Sequence, residues 1–98
     1  MKMKTNIAKV IRRTILCLCL LHPLHIMAQQ YELTVEQALS AFNAKEYDKA
    51  VSLFRQALKE SPSDIRNALV YSNIAHINKM RGDKMQALDN YSTALGIA

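Results

Sequence analysis

A nine-residue phrase occurs twice in this chain and constrains its fold more than any single residue does. The first copy is Ala50-Val51-Ser52-Leu53-Phe54-Arg55-Gln56-Ala57-Leu58, and the second, 37 residues later, is Ala87-Leu88-Asp89-Asn90-Tyr91-Ser92-Thr93-Ala94-Leu95. Both place alanine first and eighth, an aromatic fifth, and branched aliphatics second and ninth. These offsets fall on one stripe only at the 3.6-residue period of an α-helix. Self-similarity at a period between about 20 and 50 residues is the mark of stacked supersecondary units. The expected fold class is therefore all-α, with helix-turn-helix repeats packed antiparallel.

Charge divides the chain sharply. Lys2, Lys4, Lys9, Arg12 and Arg13 account for the whole formal charge of +5, because the first acid is Glu32 and the remainder is balanced. A basic average therefore gives no ground for nucleic-acid binding or for adhesion to an anionic membrane. The leader has the order of a secretory signal peptide over residues 1–28: a basic segment to Arg13, an apolar run from Ile15 to Leu21, a weaker stretch through Ile26, and a small residue, Ala28. Its apolar part is shorter than the roughly 20 residues of a membrane anchor. Export to the periplasm or beyond, as a bacterial envelope protein cleaved after Ala28, is the expectation. Membrane contact is expected only through the leader or a segment farther along a longer polypeptide.

Cys17, Cys19, His22 and His25 all belong to that leader. The expected mature chain thus has no thiol, disulfide or cysteine metal site. His22-Pro23-Leu24-His25 has a conceivable ligand spacing, but its apolar flanks and proline read as leader, and two ligands do not make a metal site. No cofactor or metal is expected. Catalysis also lacks its parts: His76 has no acid within one helical turn to orient it, and Gly82 and Gly96 do not form a phosphate loop. The chain is not expected to be an enzyme.

Glycine occurs twice and proline once after Gln29, and four helices can be read. The first is expected to start at Thr34, with Gln37 as its reciprocal capping partner, and to face inward through Val35, Ala38, Leu39 and Phe42. The second runs from about Tyr47 to Glu60 and ends before Pro62. The third runs from about Asp64 to Arg81 with Val70, Tyr71, Ile74 and Ala75 inward and Ile77 and Met80 at the margin. Gly82 ends it, and Asp83 with Gln86 caps the fourth, whose stripe is Ala87, Leu88, Tyr91, Ala94 and Leu95.

These residues resemble the tetratricopeptide repeat, a helix-turn-helix unit of about 34 residues. Ala38, Tyr47, Ala50, Phe54, Ala57 and Pro62 carry the pattern in a first unit over residues 31–64. Tyr71, Ile74, Ala75, Gly82, Asp83, Ala87, Tyr91 and Ala94 carry it in a second over residues 65–98. Lys45 stands where the turn usually has glycine, Gln37 where an aliphatic is usual, and three residues around Ile65-Arg66-Asn67 are extra.

The resemblance implies an α-solenoid of two units, four helices in all, whose concave face is lined by helix A side chains not used by the core. Those are Leu39 and Asn43 in the first unit and Ser72, Asn73, His76 and Lys79 in the second. The function implied is protein or peptide binding on that face without chemistry. The alternative is the N-terminal sensing or assembly portion of a longer membrane signalling or envelope protein. A last helix carrying Leu88, Tyr91, Leu95 and Ile97 is also expected to leave apolar surface open to self-association or to a capping helix.

Overall fold

The structure, a computed structural model, describes residues 23–98. These are all-helical, with four helices and no strand among the described residues: α1 Pro23–Asn43, α2 Tyr47–Glu60, α3 Asn67–Met80 and α4 Lys84–Ile97. Residues 1–22, which hold most of the proposed leader, lie outside the described residues. No described helix is long and apolar enough to cross a membrane.

Packing is dominated by sequence neighbours, α1 on α2 and α3 on α4, with α2 against α3 joining the two hairpins. The two hairpin turns are built alike. At the first, Ala44 N–H donates to Ser40 O, Lys45 N–H to Phe42 O and Glu46 N–H to Ala41 O. At the second, Arg81 N–H donates to Ile77 O, Gly82 N–H to Lys79 O and Asp83 N–H to Asn78 O. Each donor and acceptor is displaced by the same 37 residues. The residue that reverses the chain takes a left-handed backbone in both, φ 62° at Lys45 and φ 82° at Gly82. Glycine adopts that region freely, whereas a residue with a Cβ does so at a cost of about 1–2 kcal/mol.

The core lies in the first hairpin and the face of α3 that covers it. Tyr31, Ala38, Ala41, Ala50, Phe54 and Ala57 are buried together with Val70, Ile74 and Ile77. Alanines at 38, 41, 50 and 57 let the backbones approach, and Tyr31 and Phe54 fill the space between. Ile77, expected at the margin, is fully enclosed, because Val70, Ile74 and Ile77 at i, i+4 and i+7 form the stripe that α3 lays on the first hairpin. A second stripe one residue on, Tyr71, Ala75 and Asn78, is turned about 100° away and serves the packing of α3 on α4. One helix is thus covered on two sides.

Two boundary expectations and one burial expectation are corrected. Thr34 does not cap α1 but lies within it, since Gln29 through Leu33 contain no breaker and continue the helix. Its hydroxyl lies 2.9 Å from Gln30 O and 2.9 and 3.0 Å from the two carboxylate oxygens of Glu60. Its one proton links α1 to the end of α2, and Thr34 is buried. Gln37, left without that capping role, is exposed.

Likewise α3 starts at Asn67 rather than near Asp64. The Asp64 carboxylate accepts Arg66 N–H at 2.9 Å and holds the chain in a turn, and the next amides bond three residues back. The three extra residues therefore belong largely to the turn. Finally, Leu88 and Leu95 of α4, expected inward, are 66% and 77% exposed. The capping pair at α4 is half made: Asp83 accepts Gln86 N–H at 3.3 Å, while Asp83's own amide is spent on Asn78 O.

Candidate functional site

A groove of about 290 Å³ runs between α1 and α3, lined by Tyr31, Glu32, Val35, Glu36 and Leu39 on one side and Arg66, Leu69, Val70 and Asn73 on the other. Helical spacing makes it. Tyr31, Val35 and Leu39 follow each other at i, i+4 and i+8 along α1, while Leu69, Val70 and Asn73 share a face of α3. Leu39 is 39% exposed and Leu69 is 69% exposed, so the floor offers aliphatic surface to a partner. Glu32 and Glu36 give one rim a negative charge.

One end of the groove is held by a polar clasp. Tyr31 Oη donates to Asn67 Oδ1 at 2.9 Å, and Asn67 Nδ2 donates to Ser61 O at 2.7 Å. A single buried amide therefore ties α1 to the α2–α3 turn and to the start of α3. The Arg66 guanidinium lies 4.6 Å from the Tyr31 ring centre and pairs with Asp64 at 2.7 Å and Glu32 at 3.1 Å. The hydrogen bonds from Arg66 hold the Asp64 carboxyl below the usual carboxylate range, and Asp64 in turn raises Arg66. Burial pushes the Tyr31 phenol up, with the Asp64 charge adding to it and Arg66 opposing it. At pH 7 every group is therefore in the form the clasp needs. Exposed ion pairs add little stability, so the clasp matters mainly by fixing where the groove ends.

The expected site residues do not all converge. Leu39 and Asn73 share this groove. His76 is exposed beside it with its ring 5.9 Å from Phe42, which also meets Tyr47 edge-on at 5.9 Å. Asn43 is exposed at the last turn of α1. Ser72 and Lys79 point elsewhere: Ser72 lines a groove with Leu69, Tyr91 and Leu95, and Lys79 one with Lys84, Leu88 and Tyr91, both on the outer side of α3–α4. The sequence pattern gives no role to Tyr31, Glu36 or Leu69 and places Val35 in the core. Tyr31 was within reach, since the α1 stripe extends back one turn to it.

A larger, polar groove of about 670 Å³ lies on the opposite side, between α2 and α4. Arg81 is paired with Asp48 and Asp83 caps α4, while Arg55 and Lys59 line the groove with no ion pair among the described residues. Asn78, at the position matching Ala41, reaches it from below, and its enclosed Nδ2 has no partner. Among the described residues no three His, Cys, Asp or Glu side chains converge as a metal-holding group. No family model matches the chain, and no curated protein or solved structure matches it either.

Proposed function

We propose that this is an exported helical-repeat scaffold of the tetratricopeptide type, which binds a peptide segment of another protein in the groove between α1 and α3 and does no chemistry of its own. One observation carries the reading: Leu39 and Asn73, singled out as spare helix A positions, meet in one open groove with an aliphatic floor and an acidic rim. Two turns with identical hydrogen bonding 37 residues apart support the repeat assignment. The basic, apolar, small-residue order of residues 1–28 supports export, and it leaves Tyr31 close behind the new terminus.

The chemistry of the groove selects its partner. An aliphatic side chain fits between Leu39 and Leu69, Asn73 offers an amide to a peptide backbone, and Glu36, which has no ion pair among the described residues, suits a lysine or arginine nearby. A photoreactive side chain in place of Leu39 should capture a segment carrying that aliphatic-plus-cation pattern. The captured partner should come from the envelope fraction, and the capturing chain itself should begin at Gln29. The same group in place of Arg55, on the opposite side, should not capture it. Equal capture from both positions, or a product that retains Cys17, would overturn the groove or the export assignment respectively.

A further inference from the structure

On its α4 side, the outer face of α3–α4 repeats the aliphatic and aromatic stripe of the seat on which α3 itself rests. Displacing the first hairpin's seat by 37 residues turns Val51, Phe54 and Leu58 into Leu88, Tyr91 and Leu95. In the first hairpin these residues pack beneath Val70, Ile74 and Ile77 of α3. In the second they line two adjoining hollows of about 460 and 490 Å³, together with Leu69, Ser72 and Ala94 in one and Lys79, Lys84 and Ala87 in the other. Leu69, Leu88 and Leu95 are each about two-thirds exposed or more, at 69%, 66% and 77%. One end of the seat has changed character. Where the first hairpin sets Phe42 against His76, with Tyr47 edge-on to Phe42, the second has Lys79 and Lys84 at the matching positions.

We infer that this face docks an amphipathic helix from another polypeptide, one that carries branched aliphatics at i, i+4 and i+7 and an acid at i+6. The aliphatics stand where Val70, Ile74 and Ile77 stand on the first hairpin, and the acid stands where His76 does, opposite Lys79 and Lys84. A second copy of this chain is a poor occupant by either route. Head to tail, it would present Leu33, Gln37 and Ser40, the α1 positions that match Val70, Ile74 and Ile77, and so press two polar side chains onto Leu88 and Leu95. Tail to tail, a two-fold pair would set the same two hollows against each other, and α4 has Ser92 rather than an aliphatic at i+4 between Leu88 and Leu95, so it presents no i, i+4, i+7 ridge to fill them. This surface is separate from the α1–α3 groove, so either can fail without the other.

The probe is a peptide with the sequence of α3, Asn67–Met80, bearing His76→Glu and held helical by a side-chain cross-link on its outer face. Fluorescence anisotropy against the full chain should show saturable binding. Leu88→Glu with Leu95→Glu in the protein, both exposed and neutral to folding by circular dichroism, should weaken it at least tenfold. The peptide with the original histidine should bind about threefold more weakly, as expected of one exposed ion pair. Lys79→Glu with Lys84→Glu in the protein should make a His76→Lys version of the peptide bind more tightly than the His76→Glu one, the reverse of the order on the unaltered chain. Absence of saturable binding, or binding indifferent to Leu88→Glu/Leu95→Glu, would overturn the inference. So would a dimer in sedimentation that this double substitution dissolves and the peptide does not.

Discussion

The hairpins α1–α2 and α3–α4 close through the same turn yet enclose very different side chains. The first buries Tyr31 and Phe54 among alanines, while the side chains buried between α3 and α4 are Ala75 and Asn78 on α3 and Ala87 and Ala94 on α4. At matching positions Phe54 is enclosed and Tyr91 half-covered, and Leu58 is half-buried where Leu95 is 77% exposed. Nothing in the nine-residue phrase accounts for this, since both copies carry the same stripe. The difference is a neighbour: α3 lies across the first stripe, and no described residue lies across the second. Burial here belongs to position in the stack rather than to the repeated sequence.

The largest test of that comparison exchanges the two aromatics. Phe54→Ala empties a fully enclosed site and should cost about 3–5 kcal/mol. Tyr91→Ala removes a ring that is only partly covered and should cost less than about 2 kcal/mol, since fully burying a large apolar side chain contributes about 1.5–3. Equal shifts of the urea midpoint would mean that α4's stripe is covered in solution, and the outer face would then not be free.

The turns differ in the opposite sense, and exchange of their reversing residues should show it. Gly82→Ala forces a Cβ onto φ 82° with open space around it, so only backbone strain counts, about 1–2 kcal/mol of destabilisation. Lys45→Gly relieves the same strain at φ 62° but adds about 0.5–1 kcal/mol of unfolded-state entropy, for a net gain of up to about 1 kcal/mol. Thermal melts of the two variants should move in opposite directions. A loss for Lys45→Gly would show that the lysine side chain contributes something the backbone does not reveal.

The smallest effect concerns the clasp at the junction of the hairpins, which has no counterpart on the outer face. Asp64's folded-state pKa is depressed, so its contribution is complete above the unfolded value near 3.9 and is lost as pH falls through the folded one. Denaturation midpoints should therefore fall with acid below about pH 4. Asp64→Asn should flatten that limb and leave the neutral-pH melt only slightly lower. An unchanged acid limb in Asp64→Asn would assign it to other carboxylates.

Much of the fold could be read before the structure. Periodicity marks α2, α3 and α4 to within a few residues, because their stripes are strong and Pro62 and Gly82 punctuate them. The α1 boundary could not be read, because Thr34 followed by Gln37 satisfies a capping pattern locally while Thr34 bonds instead to Gln30 O and Glu60 across the hairpin. The candidate site was half visible. Leu39 and Asn73 follow from helix phase, but Glu36, Leu69 and the Tyr31–Asn67 clasp require knowing that α1 and α3 lie side by side.

What the amino-acid order carries alone is local and periodic: four helices, two alike phrases, a turn whose reversing residue falls at 45 and again at 82, and a charge balance confined to the chain beyond residue 28. The helices, phrases and turns depend on interactions within a few residues, where backbone sterics and helical phase leave few choices. Which copy of a stripe becomes core and which becomes surface is settled by contacts between residues far apart in the chain. Ile77 is enclosed and Leu95 exposed although both are branched aliphatics on amphipathic helices. Hydrophobicity states that a side chain gains from cover, but only the placement of α3 on the first hairpin says which side chains receive it.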